Sequence, residues 1–232
     1  MLEQLSHTTR DFERDGYALL PSIVPGAELD RLTDAIEESR QSQLLPGLRN
    51  LLSRCGVVRS FADFGIVNSI ARALLKTDVR PVRAILFDKT PDSNWYVTWH
   101  QDLTIPVKAR IDIDGYGPWS VKEGVVHVRP PASILAQMVS LRIHLDDCTE
   151  ENGAIKFIAS SQDAGILEAD DIARWRESHV QTVCPAGRGD IIAMRPLILH
   201  SSSVSESPVH RRVLHIEYAG AVLPASLEWA EA

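Results

Sequence analysis

From Pro81 onward the chain breaks into short β-prone runs punctuated by turn residues, and this rhythm limits the fold more than any other feature. Residues 82–87, 95–100, 136–145, 154–159, 190–194, 198–201 and 212–219 read as strands. Turn signals such as Glu151-Asn152-Gly153 and Ala186-Gly187 lie between them, and short strands so separated predict an antiparallel sandwich or barrel. The first third reads differently. Residues 8–15 predict a short helix opened by a Thr cap and closed by Gly16, and residues 17–23 a short strand. Residues 27–42 predict a helix with Leu29, Leu32 and Ile36 on one face, and residues 68–76 another. Helices first and strands afterwards imply an α+β fold whose helices cover one sheet face.

Residues 103–129 interrupt the strands with a stretch rich in Gly, Asp and aromatics. Long loops inside compact domains are usually functional, so this one is expected to be a lid carrying Tyr116 and Trp119 over a site mouth. The 232 residues suit a single domain, with a mainly helical part at 1–80 and a strand-built core at 81–222. A net charge of -7 leaves no electrostatic footprint for nucleic acid. No apolar run approaches the roughly 18 residues of a membrane span, and residues 1–10 lack the apolar centre of a secretory signal. Cys55, Cys148 and Cys184 are odd in number and show no C-x-x-C spacing, which argues against a disulfide framework and excludes a zinc ribbon. A cytoplasmic protein is expected, and nothing in the sequence sets an oligomeric state.

His100-Gln101-Asp102 places two metal ligands at i and i+2, where side chains of an extended strand leave the same face. A distant second His would complete a 2-His-1-carboxylate triad, which leaves positions open on Fe(II). The pattern by itself is weak: with 8 His and 31 Asp+Glu in 232 residues, chance yields about one His-x-Asp/Glu. There are three here. His215-x-Glu217 sits in an alternating run and reads as a satisfied strand histidine. His144-x-Asp146 lies at a strand end, where the aspartates can serve the following turn.

Context separates the three. After His200 comes a Ser/Pro turn, then Arg211-Arg212 at the start of the next strand. Histidine and arginine then become cross-strand neighbours in an antiparallel pair. An arginine fork suits a carboxylate best. Since facing alternates, one arginine can point inward while the other is exposed, and periodicity does not choose between them.

Several segments now resemble one family. Asp11-Phe-Glu-Arg-Asp-Gly-Tyr17, Phe87-Asp-Lys-Thr-Pro-Asp92, Trp99-His-Gln-Asp-Leu103, Leu145-Asp-Asp-Cys-Thr-Glu-Glu-Asn-Gly153 and the block from His200 to Arg211 are similar, in order, to the phytanoyl-CoA dioxygenase family of iron and 2-oxoglutarate oxygenases. The resemblance implies a double-stranded β-helix, the cupin-like jelly-roll barrel, flanked by N-terminal helices. It implies Fe(II) held by His100, Asp102 and His200, with 2-oxoglutarate and O2 as cosubstrates. Arg211 would bind the cosubstrate carboxylate with Ser202 assisting, and Gln101 would lie beside the iron and contact the cosubstrate. The expected reaction hydroxylates a C–H bond of a small-molecule substrate and releases succinate and CO2. A retained Asp102 argues for hydroxylation or another oxidative outcome, because related halogenases lack that carboxylate.

Two departures stand out. Arg142 occupies a position where many members carry Trp, and Ala159-Ser-Ser-Gln162 replaces a Pro-Gly-Ser-His turn. Arg142, Trp99, Tyr116 and Trp119 are the candidate substrate residues, the bland reading of Trp99 being core packing. Arg49 reads as a surface charge, with a basic residue for the pocket as its alternative. The competing functions are a metal-binding jelly roll that does not use 2-oxoglutarate, and a non-catalytic small-molecule binding module.

Overall fold

The computed structural model describes residues 2–40, 47–90, 92–206, 210–224 and 226–231. Its first third holds helices α1 (Leu2–Asp15), α2 (Gly26–Ser39), α3 (Leu51–Arg54), α4 (Gly56–Asp63) and α5 (Ile66–Leu75). The expected Thr cap is not one. The good helix formers Leu2 to Leu5 carry α1 back to Leu2, so Thr8 is an interior, buried position. Gly16 does close the helix: it adopts φ 82°, and its N–H donates to Phe12 O at 3.1 Å. Helix α2 stops at Ser39, and residues 41 and 42 of the expected helix lie outside the described residues.

The strands are β1 (Tyr17–Leu20), β2 (Gly47–Leu48), β3 (Arg80–Lys89), β4 (Val97–His100), β5 (Ile105–Val107), β6 (Trp119–Lys122), β7 (Val125–Val128), β8 (Met138–His144), β9 (Ile155–Ile158), β10 (Thr182–Cys184), β11 (Ile191–Met194), β12 (Leu199–Ser202) and β13 (Arg211–Ala219). The short helices α6 (Ala132–Leu135) and α7 (Ala169–Ser178) fill two of the connections. A six-stranded sheet runs β1-β11-β8-β13-β3-β2, and a four-stranded sheet runs β10-β9-β12-β4. Their pairings are antiparallel. Side chains from both sheets line one cavity between them.

Residues 103–129 correct the expectation of a loop. They hold a third sheet, β5-β7-β6, in which Glu123 and Gly124 at φ 47° and 81° turn β6 back onto β7. Strands of three and four residues between Gly-rich turns are too short to announce themselves by alternation. The C-terminal tail braces this sheet, since Trp229 bridges to Val107 and packs with Ile105 and Val128.

Alternation along the large sheet sets up the site. Ala84, Leu86, Leu141, Ile143, Leu214, Ile216 and Tyr218 face outward and form one core with Leu29, Leu32, Ile36, Val58, Ile70 and Leu74 of the helices. Each such aliphatic burial contributes roughly 1.5–3 kcal/mol. The intervening residues Arg83, Ile85, Phe87, Lys89, Arg142, Arg211, His215 and Glu217 face the cavity. A period of two therefore gives β3, β8 and β13 one apolar face toward the helices and one face carrying charged and polar groups toward the cavity.

Candidate metal centre and cosubstrate pocket

Strands β4 and β12 are paired so that His100 stands opposite His200, with ring centroids 4.2 Å apart. Asp102 lies just past the end of β4, anchored by its own N–H to Pro196 O at 2.8 Å. Its carboxylate reaches both imidazoles, Oδ1 at 3.9 Å from His100 Nε2 and Oδ2 at 3.8 Å from His200 Nε2. All three ligand atoms fall within 4.8 Å of one another. In each histidine Nδ1 donates to a main-chain carbonyl, Thr98 O at 2.8 Å and Ile198 O at 2.9 Å. That fixes the tautomer and leaves the Nε2 lone pair for a metal. Burial and the neighbouring His100 push His200 down to about 3 against the pull of Asp102, so its imidazole is neutral at pH 7. Burial would raise Asp102, but His200, His215, His100 and Arg83 outweigh it and hold the carboxyl well below its usual range. Two imidazoles and one carboxylate fit a ferrous ion with positions left for other ligands.

Asp102, His215 and Glu217 also satisfy a ligand spacing, yet their atoms are committed elsewhere. Arg142 Nη1 donates to His215 Nδ1 at 3.4 Å, and His215 Nε2 donates to Glu217 Oε1 at 3.3 Å. Glu217 in turn holds Arg83 in a buried ion pair. A hydrogen-bonded row, Arg142–His215–Glu217–Arg83, thus crosses the cavity wall. His215 is satisfied, as its strand context indicates, and it also faces the pocket.

The cavity, about 410 Å³, separates the two arginines of the Arg211-Arg212 pair. Arg211 points inward and is buried, donating to Gly153 O, while its Nε has no hydrogen-bond partner among the described residues. Gly153 must be glycine here: it adopts φ 82°, and a Cβ would stand 2.5 Å from Ser203 O. Arg212 points outward and forks onto Asp146 with two bonds of 2.8 Å. Beside Arg211 stands Lys89, which donates to Ser202 Oγ at 3.3 Å and to Ser203 O. Burial and repulsion from Arg211 lower Lys89 to about 8. Burial and the same neighbour lower Arg142 to about 10, and its Nε is also unpartnered. Three cations and one serine hydroxyl therefore meet at this end of the cavity with no carboxylate bonded to them among the described residues. A dicarboxylate such as 2-oxoglutarate supplies the acceptors these orphaned donors lack.

Other expected site residues fall elsewhere. Gln101 borders the cavity, but its amide is fully engaged: Nε2 donates to Gly165 O at 2.8 Å and Leu197 O at 2.6 Å, and Oε1 accepts from Leu167 N at 2.8 Å. It points away from the face shared by His100 and Asp102, as i+1 on an extended segment must. Trp99 is buried with Ile158, Leu167 and Leu199, which corrects its candidacy for substrate in favour of core packing. Tyr116 and Trp119 are corrected likewise: they pack against the core around Val128 and Trp229, because the stretch that carries them is folded into the third sheet. Arg142 does line the cavity. So does Arg49, correcting its reading as a surface charge, and with it Arg83 and Lys122, which the sequence reading passed over. Lys89 escapes a reading of the sequence because nothing marks the strand as running past Phe87; two more residues of alternation put it on the same face.

Residues 12–213 match the family model described as Phytanoyl-CoA dioxygenase (PhyH). The chain belongs to the phytanoyl-CoA dioxygenase family. A member of known activity, the L-proline trans-4-hydroxylase of Streptomyces griseoviridis, is 37% identical over an alignment covering 89% of this chain and 83% of the relative. Among solved structures, the non-heme alpha ketoglutarate dependent carbocyclase SnoK from nogalamycin biosynthesis superposes with a TM-score of 0.72 at 15% identity, over 92% of this chain and 83% of that one. EctD from S. alaskensis with 2-oxoglutarate and 5-hydroxyectoine gives 0.68 at 17%, over 92% and 75%. These likenesses show the double-stranded β-helix fold. As a phytanoyl-CoA dioxygenase family member the protein is an Fe(II)- and 2-oxoglutarate-dependent dioxygenase that hydroxylates a small molecule, with iron, 2-oxoglutarate and O2 as its cofactors. No helix among the described residues is long and apolar enough to cross a membrane.

Proposed function

We propose that His100, Asp102 and His200 hold the iron, that Arg211, Lys89 and Ser202 bind the distal carboxylate of 2-oxoglutarate, and that the remaining cavity takes a dissolved small molecule in the cytoplasm. The observation that carries this reading is the convergence of two Nε2 atoms and one ionised carboxylate beside a buried guanidinium with an unanswered Nε. When bound, the iron with 2-oxoglutarate and O2 supplies the oxidant that hydroxylates a substrate C–H bond while the cosubstrate becomes succinate and CO2. The protein's share is orientation and shielding. The Nδ1 bonds keep both imidazoles turned toward Asp102, and Arg211 and Lys89 fix the far end of the cosubstrate. Ile85, Phe87 and Ile155 give the pocket apolar walls that hold water back. Three free and buried cysteines accord with a reducing compartment. The L-proline hydroxylase relative makes free cyclic amino acids the first compounds to try.

Anaerobic addition of Fe(II) and then 2-oxoglutarate tests the assignment. A visible metal-to-ligand charge-transfer band is expected in the wild type and its loss in His200→Ala, with folding checked by circular dichroism. Iron uptake without the band would favour a jelly roll that does not use 2-oxoglutarate.

A further inference from the structure

The cavity carries a second group of cations, apart from the one assigned to 2-oxoglutarate. Arg83, Arg49 and Lys122 come from β3, the segment after β2, and β6, and all line the same pocket. Repulsion shows their closeness: Arg83 lowers the pKa of Arg49, and Arg83 and Arg49 lower that of Lys122, in each case after burial. Their compensation is uneven. Burial would lower Arg83, but Glu217, Asp102 and Glu231 outweigh it and raise its pKa. Burial outweighs Glu123, 3.6 Å from Arg49 Nε, and leaves Arg49 lowered. Lys122 has the Thr104 hydroxyl at 3.2 Å and no carboxylate bonded to it among the described residues. Arg83, only 7% exposed, keeps a buried Nε without an acceptor among the described residues. All this occurs in a chain of net charge -7, where chance would favour acidic rims.

Register sets the two groups apart: along β3, Lys89 pairs with Arg211 toward one end and Arg83 with Glu217 toward the other. Asp102 comes within 4.8 Å of the ligand atom of His215, which lies between them. The metal ligands therefore lie between two cationic ends. A 2-oxoglutarate held by the metal ligands would offer its one remaining carboxylate to Arg211 and Lys89. Arg49 and Lys122, at the other end, would be left to answer a different anion.

We propose that Arg49, Arg83 and Lys122 form the receptor for an anionic group of the substrate, so that this oxygenase acts on small carboxylic acids, held by the carboxylate with a C–H bond turned to the metal. The inference rests on the iron and 2-oxoglutarate reading above. Arg83 is pre-positioned by Glu217, while Arg49 and Lys122 supply charges not committed to a short carboxylate bond among the described residues.

The test compares acid and amide pairs on one enzyme preparation. L-Proline and L-prolinamide, pipecolic acid and its amide, and 2-pyrrolidone-5-carboxylic acid and its amide are titrated anaerobically into protein carrying Fe(II) and 2-oxoglutarate. Binding is read from the perturbation of the charge-transfer band, and turnover from stimulated succinate release. At least one acid should bind tenfold or more tightly than its amide. That preference should fall at least tenfold in Lys122→Met and in Arg49→Met, a ratio measured within each variant and so insensitive to its yield. Equal binding of acids and amides, binding of none of the acids, or a preference that survives both substitutions would overturn the proposal. Absence of the band in the wild type before any compound is added would instead overturn the reading on which it rests.

Discussion

A buried guanidinium nitrogen without an acceptor is destabilising by about 1–3 kcal/mol, more where the group is charged, and Arg211 and Arg142 each carry one. Such donors persist where a ligand answers them. Charge-assisted bonds of roughly 1.5–3 kcal/mol each make Arg211→Met expected to raise the 2-oxoglutarate KM roughly ten- to hundredfold, measured by succinate release. Gln101 should behave differently. Its three bonds tie together Gly165, Leu167 and Leu197, so Gln101→Leu should lower stability by about 2 kcal/mol or more, seen in urea unfolding, without a comparable change in that KM. A KM shift as large as that of Arg211→Met would place Gln101 at the cosubstrate after all. The i, i+2 spacing puts His100 and Asp102 on one face. The choice of His200 as third ligand and of Arg211 over Arg212 rests on the family resemblance. The expected cross-strand pairing of His200 with an arginine fails, because β12 and β13 lie in different sheets. Lys89, Arg83 and Lys122 were not legible, because a lone cation on a strand declares neither its phase nor its partner until register fixes which face it takes.

Register is the element-scale counterpart. On β13 each even residue from Leu214 to Tyr218 meets the helices, whereas Arg211, His215 and Glu217 meet the cavity. The strand is anchored to the helical layer by Tyr218 Oη, which donates to Ala62 O at 2.8 Å in the buried core. Tyr218→Phe should therefore cost about 1–3 kcal/mol, since Ala62 O is left without that donor, detectable as a lower denaturation midpoint. Arg212→Ala, which removes a partly buried two-bond pair with Asp146, should cost about 1–3 kcal/mol and leave cosubstrate affinity intact. The long central strands were readable because their turn signals are strong. Strands β5, β6 and β7 were hidden by brevity, and α3 and α4 by a run of residues 51–63 too short on either side of Cys55 to show a helical period.

At the scale of the whole molecule, burial of neutral histidines ties stability to pH. Burial, with Arg142 and Arg211 behind it, pushes His144 down to about 3. Burial pushes His127 to about 4, against its bond to Val125 O. Both are protonated near their ordinary 6.5 once unfolded, so between those values the unfolded chain binds more protons and stability rises with pH. Urea unfolding of metal-free protein should give a lower free energy at pH 5 than at pH 7. His144→Leu should narrow the difference, and an unchanged difference would remove His144 from the account.

The edge position of β4 has a consequence of its own. That strand has β12 on one side and, among the described residues, no strand on the other, and its register slips between His200 and Ser202, so main-chain bonds secure it poorly. An ion clasping His100 to His200 would stitch this loose hem to the sheet beside it, and amide deuteration of residues 97–102 should slow sharply when Fe(II) or Zn(II) is supplied. Catalyst and rivet would then be one and the same atom.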